Sequence, residues 1–433
     1  MSVFEPIRYA ALTDVGVKRS HNQDACAAQP AVDAAAWETH GHVFVVADGM
    51  GGHAVGEKAS AKAVRDIPFV YVKHAREGII PAIRKAFVEA NSGIYTIGQE
   101  NPEFRGMGTT ATAIMLRPEG AWVGHVGDSR AYRIRGTTID QLTFDHSWVW
   151  EIARRQGMDP DELGDFKKNV IIRSLGPDPD VEVDIEGPYP VEPGDCFLLC
   201  SDGLSNLVTA FEIGAVVSSL PTDEAAKFLI ELANLRGGPD NITVSIVQTP
   251  GTPSATSRLG KIAGPSVFRR AWNAWNRKVP WPFSLLCAGS LLAIVSLAFE
   301  VTALFILAAL VLVGGLVGLV LFLRGNPTTL SASNDNSERK LNLYKTYSCE
   351  IGPKVMEEMT TLEASLVETM KAQEVAADWV AYQKHAAAAE AAGKKGPSPE
   401  AFRARCKSLG FLAASFNKSR HKKESFRPNW PSK

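Results

Sequence analysis

Over the first 250 positions, short apolar runs alternate with polar clusters that carry glycine and aspartate. Runs rich in β-branched and apolar residues predict strands at His42–Ala47, Thr109–Leu116, Ala121–Val126, Cys196–Cys200 and Ile242–Val247. Apolar positions at helical spacing predict helices over Glu57–Ile67, Ile79–Ile97, Glu151–Gln156 and Asp223–Leu235. The strands at 109–116 and 121–126 follow one another with no helix between them. That order points to an α+β fold with antiparallel pairing, not to repeated βαβ units.

The pattern changes after residue 250. PGTPSATSRLGKIAGPS reads as a linker, and residues 251–282 hold six basic residues and no acidic one. There Arg269, Arg270, Arg277 and Lys278 interleave with Trp272, Trp275 and Trp281, as in a juxtamembrane segment facing anionic lipid. Residues 283–323 carry a single charge, Glu300. One helix of that length would be roughly 60 Å long, twice the ~30 Å hydrocarbon thickness, so two transmembrane helices turning near Glu300 are expected. Basic residues flank both ends, which predicts a multi-pass inner-membrane protein with its N-terminal domain and C-terminus in the cytoplasm. Residues 324–433 read as a helical, partly disordered tail. Met356, Met359, Leu362, Leu366 and Met370 form a packing face within it, and its C-terminus is basic. The expected domains are thus 1–250, 251–282, 283–323 and 324–433.

Charge separates the same parts. Residues 1–250 hold 22 basic and 34 acidic residues, and residues 251–433 hold 24 and 13. An acidic first domain argues against a nucleic-acid partner and suits carboxylates gathered around cations. The six cysteines form no CxxC pair, no zinc spacing and no C-x5-R loop, so they read as buried reduced thiols. The N-terminus has neither a basic n-region nor an apolar h-region, so no signal peptide is expected.

Candidate chemistry sits at strand ends. His42–Ala47 runs into Asp48-Gly49-Met50-Gly51-Gly52-His53, and Ala121–Val126 runs into Gly127-Asp128-Ser129-Arg130. Cys196–Cys200 runs into Ser201-Asp202-Gly203, and Asp240-Asn241 precedes the strand at 242. An Asp-Gly pair alone is usually a turn. Four such aspartates at strand ends can converge as the all-oxygen setting that Mg²⁺ and Mn²⁺ prefer.

Taken in order, these motifs resemble the metal-dependent serine/threonine protein phosphatases of type 2C in their bacterial form. Thr13-Asp14-Val15-Gly16, Arg19-Ser20-His21-Asn22-Gln23-Asp24, Gly108-Thr109-Thr110, Leu142-Thr143-Phe144-Asp145-His146-Ser147 and Arg173-Ser174-Leu175-Gly176 complete the match over about residues 5–248. The resemblance implies a four-layer α-β-β-α sandwich of two antiparallel sheets. It also implies two, or three, Mn²⁺ or Mg²⁺ ions and hydrolysis of phosphoserine and phosphothreonine in proteins phosphorylated by a serine/threonine kinase. By position, Asp48 bridges two metals, Asp202 and Asp240 complete the first, the carbonyl of Gly49 serves the second, and Asp128 holds a third. Arg19 binds the phosphate, Asp24 orients metal-bound water, and His53 is the candidate general acid. His146, Thr110 and Arg173 read as scaffold. Many relatives carry Glu where this chain has the neutral Gln23. Trp148–Lys168 corresponds to the variable flap. The alternatives are a non-catalytic phosphoprotein-binding or sensor module on this fold, and a scaffold acting through residues 324–433. Intact Asp48, Asp202, Asp240 and Arg19 favour the enzyme.

Overall fold

The computed structural model describes residues 6–51, 55–163, 170–251, 344–394 and 396–424, with Ser290, Ala309, Leu312 and Val313 besides. Met1–Thr256 and Lys340–Lys433 belong to one unit, and Ser257–Arg339 to another. Everything below concerns the first.

Twelve strands are described. β1 (Arg8–Asp14), β7 (Arg130–Arg135), β8 (Thr138–Gln141), β10 (Cys196–Cys200), β11 (Ile242–Gln248) and β12 (Lys345–Ser348) form one antiparallel sheet in the order β1-β11-β10-β7-β8-β12. β2 (Asp24–Gln29), β3 (His42–Met50), β5 (Ala111–Arg117), β6 (Gly120–Val126) and β9 (Asp184–Tyr189) form the second in the order β2-β3-β5-β6-β9, with β4 (Gly108–Thr109) paired to β3.

Strand alternation builds three apolar layers. In β3, Phe44 and Val46 join Phe197 and Leu199 of β10 between the sheets. Val43, Val45 and Ala47 turn the other way, under α2 (Val55–His74) and α3 (Ile79–Glu100). Cys196, Leu198 and Cys200 of β10 likewise face α6 (Ala210–Ser219) and α7 (Thr222–Leu235). Both faces of these strands are buried, which is why HVFVVA and CFLLC read as continuous apolar runs. The result is the α-β-β-α sandwich that the resemblance implied, with the antiparallel pairing that the strand order predicted. Cys196, Cys200, Cys349 and Cys406 are buried free thiols. The remaining helices of the first 250 residues are short: α1 (Ala34–Thr39), α4 (Trp148–Gln156) and α5 (Asp202–Ser205).

The C-terminal residues add to this body. β12 pairs with β8 at the sheet edge, from Lys345 opposite Gln141 to Ser348 opposite Thr138. Three helices follow, α8 (Pro353–Ala372), α9 (Trp379–Gly393) and α10 (Pro399–Glu424). Met359, Leu366 and Met370 of α8 and Phe402, Leu409 and Leu412 of α10 share one cluster with Phe228 and Leu232 of α7. Buried Glu363 joins α8 to α10 by a 2.5 Å ion pair with Arg405 and by a hydrogen bond from Ser408. The apolar face expected along 356–370 therefore meets helices of the same chain.

The membrane expectation is corrected. Among the described residues no helix is long and apolar enough to cross a membrane. The long described helices are one-sided: α2 carries Glu57, Lys58, Lys62 and Arg65 beside its buried face, and α10 carries Arg403, Arg405 and Lys407 beside its own. The hairpin at 283–323 lies outside the described residues except for Ser290, Ala309, Leu312 and Val313, and the linker at 252–282 lies wholly outside them. The multi-pass inner-membrane location and the lipid partner are accordingly withdrawn.

Two outcomes follow from the packing. Phe402 of α10 is fully buried in the cluster shared with α7, so Phe402→Ala should cost about 3–5 kcal/mol, seen as a lower urea midpoint in the full chain. His42 is buried, accepts a 2.9 Å hydrogen bond from the Ala31 N–H at Nδ1, and is pushed down to about 4 by burial and then by His40. The unfolded chain takes up this proton near its ordinary value and the folded one does not. Stability therefore falls as pH drops from about 6.5 towards 4, and His42→Gln should flatten that stretch of the urea-midpoint profile.

Candidate active site

The site forms where β3, β6 and β10 end and β11 begins. Antiparallel register sets Asp24 of β2 opposite Asp48 of β3. Asp202 opens α5 directly after β10, and Asp240 lies two residues before β11. Asp128 follows Gly127, whose φ of +113° turns the chain sharply out of β6. Close backbone contacts require glycine beside two of these acids. A Cβ on Gly49 would lie 2.2 Å from the Gly56 carbonyl oxygen, and one on Gly203 would lie 1.9 Å from that of Asn241.

Hydrogen bonds fix the carboxylates from the protein side. Asp24 Oδ2 accepts from Ser201 Oγ and from Thr243 Oγ1, each at 2.7 Å. The Asp48 N–H donates to Thr110 Oγ1 at 2.9 Å. Asn241 ties three segments together: its Oδ1 accepts from the Gln23 N–H, and its Nδ2 donates to the carbonyls of Val15 and His21. The Gln23 carbonyl accepts from the Gly49 N–H at 3.0 Å, and the Gln23 amide donates to the Gly51 carbonyl at 3.3 Å. Ser201, Asn241 and Thr243 received no role from the sequence. Their signal was their place inside the Ser-Asp-Gly and Asp-Asn-Ile-Thr motifs.

These acids share a burial penalty. Asp24 is pushed up to about 7 and Asp128 to about 8, first by burial and then by neighbouring carboxylates, with hydrogen bonds to Asp24 working the other way. Asp48 is raised well above the usual carboxylate range by burial and by Asp24, Asp202, Asp128 and Asp240. Asp202 is raised by burial and by Asp240. Buried anions without a counter-charge are costly.

The residues fit a hard divalent cation on two grounds. The donors are all oxygen. In addition, one buried oxygen on each of Asp24, Asp128 and Asp202 accepts no hydrogen bond. No three His, Cys, Asp or Glu side chains among the described residues already enclose a position for an ion. The fit therefore rests on donor chemistry and on those orphaned oxygens.

Beside the cluster lies a cavity of about 240 Å³, lined by Asp128, Arg130, Asp145, Trp150, Pro160 and Asp202 among others. Arg130 forms a fork on Asp145, with Nε 2.9 Å and Nη2 2.7 Å from Asp145 Oδ2. Arg19 is half-exposed, with Nη2 2.8 Å from Asp240 Oδ2. The structure thus brings together Arg19, Asp24, Asp48, Gly49, Asp128, Asp202 and Asp240. His53 lies outside the described residues. His146 stands behind Asp128: its Nδ1 accepts from the Gly127 N–H, and its Nε2 is 3.0 Å from Asp184, which also pairs with Arg173.

The family model for protein phosphatase 2C matches residues 17–235. Protein phosphatase PhpP of Streptococcus pneumoniae is 37% identical over 242 residues, covering 54% of this chain and 95% of that protein. Serine/threonine phosphatase stp of Listeria monocytogenes is 36% identical over 244 residues, covering 54% and 93%. Among solved structures, the Mycobacterium tuberculosis serine/threonine phosphatase PstP/Ppp is 32% identical with a TM-score of 0.49, covering 56% of this chain and 99% of that one. A PstP catalytic domain in complex with two manganese ions is 32% identical with a TM-score of 0.48, covering 56% and 97%.

The support beneath the acids is open to direct measurement. Ser201→Ala leaves a buried carboxylate oxygen short of one donor and should cost about 1–3 kcal/mol, read as a lower urea midpoint at unchanged m-value. An unshifted midpoint would show that Ser201 is dispensable to Asp24.

Proposed function

The chain belongs to the protein phosphatase 2C family, and on that premise we propose the residue roles by which it acts as a metal-dependent protein serine/threonine phosphatase. The observation that carries the reading is the group of buried, mutually repelling carboxylates with orphaned oxygens on Asp24, Asp128 and Asp202. Asp48 would serve two cations: with Asp202 and Asp240 it would hold one, with the Gly49 carbonyl the other, and Asp128 would hold a third. Mn²⁺ or Mg²⁺ supplies the charge neutralisation and the acidified water that phosphoryl transfer needs.

The chain's own groups then bind and orient. Arg19 stands half-exposed beside Asp240, where its planar fork can take two phosphate oxygens. Asp24 is held through Oδ2 by Ser201 and Thr243, which leaves Oδ1 to accept a hydrogen bond from the attacking water and fix its direction. Buried thiols raised by desolvation, such as Cys196 and Cys200, pushed up to about 12, are unsuited to act as nucleophiles. On the family's reading, the phosphoryl group then passes to water and not to one of these thiols. Its substrates are proteins phosphorylated on serine or threonine by a kinase.

The full chain should release phosphate from a phosphothreonine peptide with added Mn²⁺ and stop in excess chelator. Asp202→Asn and Asp240→Asn should each weaken Mn²⁺ binding by about tenfold or more and lower turnover with it, as read by calorimetry and steady-state kinetics. Arg19→Ala should raise KM with little change in Mn²⁺ affinity. Unchanged Mn²⁺ affinity in both aspartate variants would contradict the ligand roles, and full activity in chelator would contradict the mechanism.

A further inference from the structure

One wall of the cavity beside Asp128 and Asp202 is formed by Trp150 of α4 and by Pro160. Both are tied to the start of β12, some 200 residues further along the chain. Lys345 Nζ is 2.7 Å from Asp159 Oδ1, next to Pro160. The same ammonium stands 5.2 Å from the centre of the Trp150 ring. The lysine side chain is only 12% exposed, so this pair is sheltered from solvent on one side. Tyr344 reinforces it: its hydroxyl donates to Glu186, and its ring lies 5.7 Å from Phe144, which meets Trp150 edge-on at 5.1 Å.

Lys345 is not free to drift. The Tyr344 N–H donates to the Gln141 carbonyl at 3.1 Å, and the Cys349 N–H to the Thr137 carbonyl at 2.8 Å. Thr346 Oγ1 donates to Asp140 Oδ1 at 2.7 Å, while Asp140 Oδ2 holds Arg133. Trp150 thus touches two cations of different origin. Arg130, 5.6 Å from its ring, belongs to β7, and Lys345 comes from the C-terminal extension that adds β12 to the same sheet. Lys345 lies well beyond the residues matched by the family model, 17–235.

We propose that Lys345 is a positioning residue for the phosphatase reaction, pinning Trp150 and the Asp159–Pro160 edge of the cavity so that the polypeptide flanking the phosphorylated residue meets a formed wall. The inference rests on the phosphatase reading above. On this proposal a phosphopeptide, being longer than a small aryl phosphate, extends past the acids and Arg19 and uses this wall. Loosening the wall removes binding that ground and transition states share, which raises KM and leaves kcat alone.

The test uses the full chain in saturating Mn²⁺ with a phosphothreonine peptide and with p-nitrophenyl phosphate. Lys345→Ala should raise KM for the peptide about three- to tenfold, with kcat and both constants for the aryl phosphate at wild-type values. Lys345→Arg should restore the peptide KM, because a guanidinium can keep both the ion pair and the ring contact. Asp159→Ala, a change at a half-exposed side chain, should raise the peptide KM in the same direction without loss of melting temperature. An unchanged peptide KM in Lys345→Ala and Asp159→Ala would overturn the proposal. So would equal impairment in Lys345→Ala and Lys345→Arg, or a parallel loss on both substrates accompanied by a lower melting temperature. A wild-type chain inactive on both substrates would instead overturn the phosphatase reading and this inference with it.

Discussion

The folded chain forces several carboxylates into a space with too little water to solvate them. Asp24 and Asp48 face each other across a strand pair, and Asp202 and Asp128 enter from neighbouring strand ends. Burial and mutual repulsion raise all four above the ordinary value of an aspartate. Such an arrangement persists only if the rest of the structure holds it. Two packed sheets supply the rigidity, and glycines 49 and 203 let backbones approach where a side chain would collide. Ser201, Thr243, Thr110 and Asn241 serve the oxygens and amides that face the protein. What they leave unserved is the group of oxygens suited to a hard cation. The strain of the site and its function are the same physical fact.

The acids alone would not make a selective enzyme. Specificity needs surfaces beyond the phosphate, and here the cavity wall draws on two distant parts of the chain. Arg130 approaches Trp150 from β7 and Lys345 from β12, two strands of one sheet. The C-terminal residues are therefore joined to the site's edge by an edge strand and to α7 by α8 and α10. Buried Glu363, with Arg405 and Ser408, locks those helices to each other.

Legibility from sequence followed burial. β3 and β10 were readable because both faces are buried and leave uninterrupted apolar runs, and the helices at 79–97 and 223–235 because one face is apolar. β1 was missed because RYAALTD alternates weakly and is partly exposed at an edge. β9 was missed because Gly187 and Pro188 interrupt it. β12, the polar run KTYS, fell inside a stretch read as helical, and only its partner β8 makes it a strand. The aspartates were legible because each sits beside glycine at the end of a readable strand. Their supporting residues were not, since Asn241 and Ser201 act through contacts that span about 220 and 177 positions of sequence. The apolar face at 356–370 was visible, but nothing in its local pattern named α7 and α10 as its partners. The long apolar stretch at 283–323 suggested a membrane, yet among the described residues no helix is long and apolar enough to cross one.

The central claim is that buried carboxylates at the strand ends are relieved by a bound divalent cation. It is tested most directly by calorimetric unfolding of the full chain with and without Mn²⁺, alongside Asp48→Asn. A ligand that binds only the folded state raises the melting temperature with its concentration. The account predicts that Mn²⁺ raises the melting temperature of the wild-type chain, and that Asp48→Asn loses most of this rise while being no less stable than wild type in metal-free buffer. Melting temperatures unaffected by Mn²⁺ in the wild type, or an equal rise in both proteins, would contradict it.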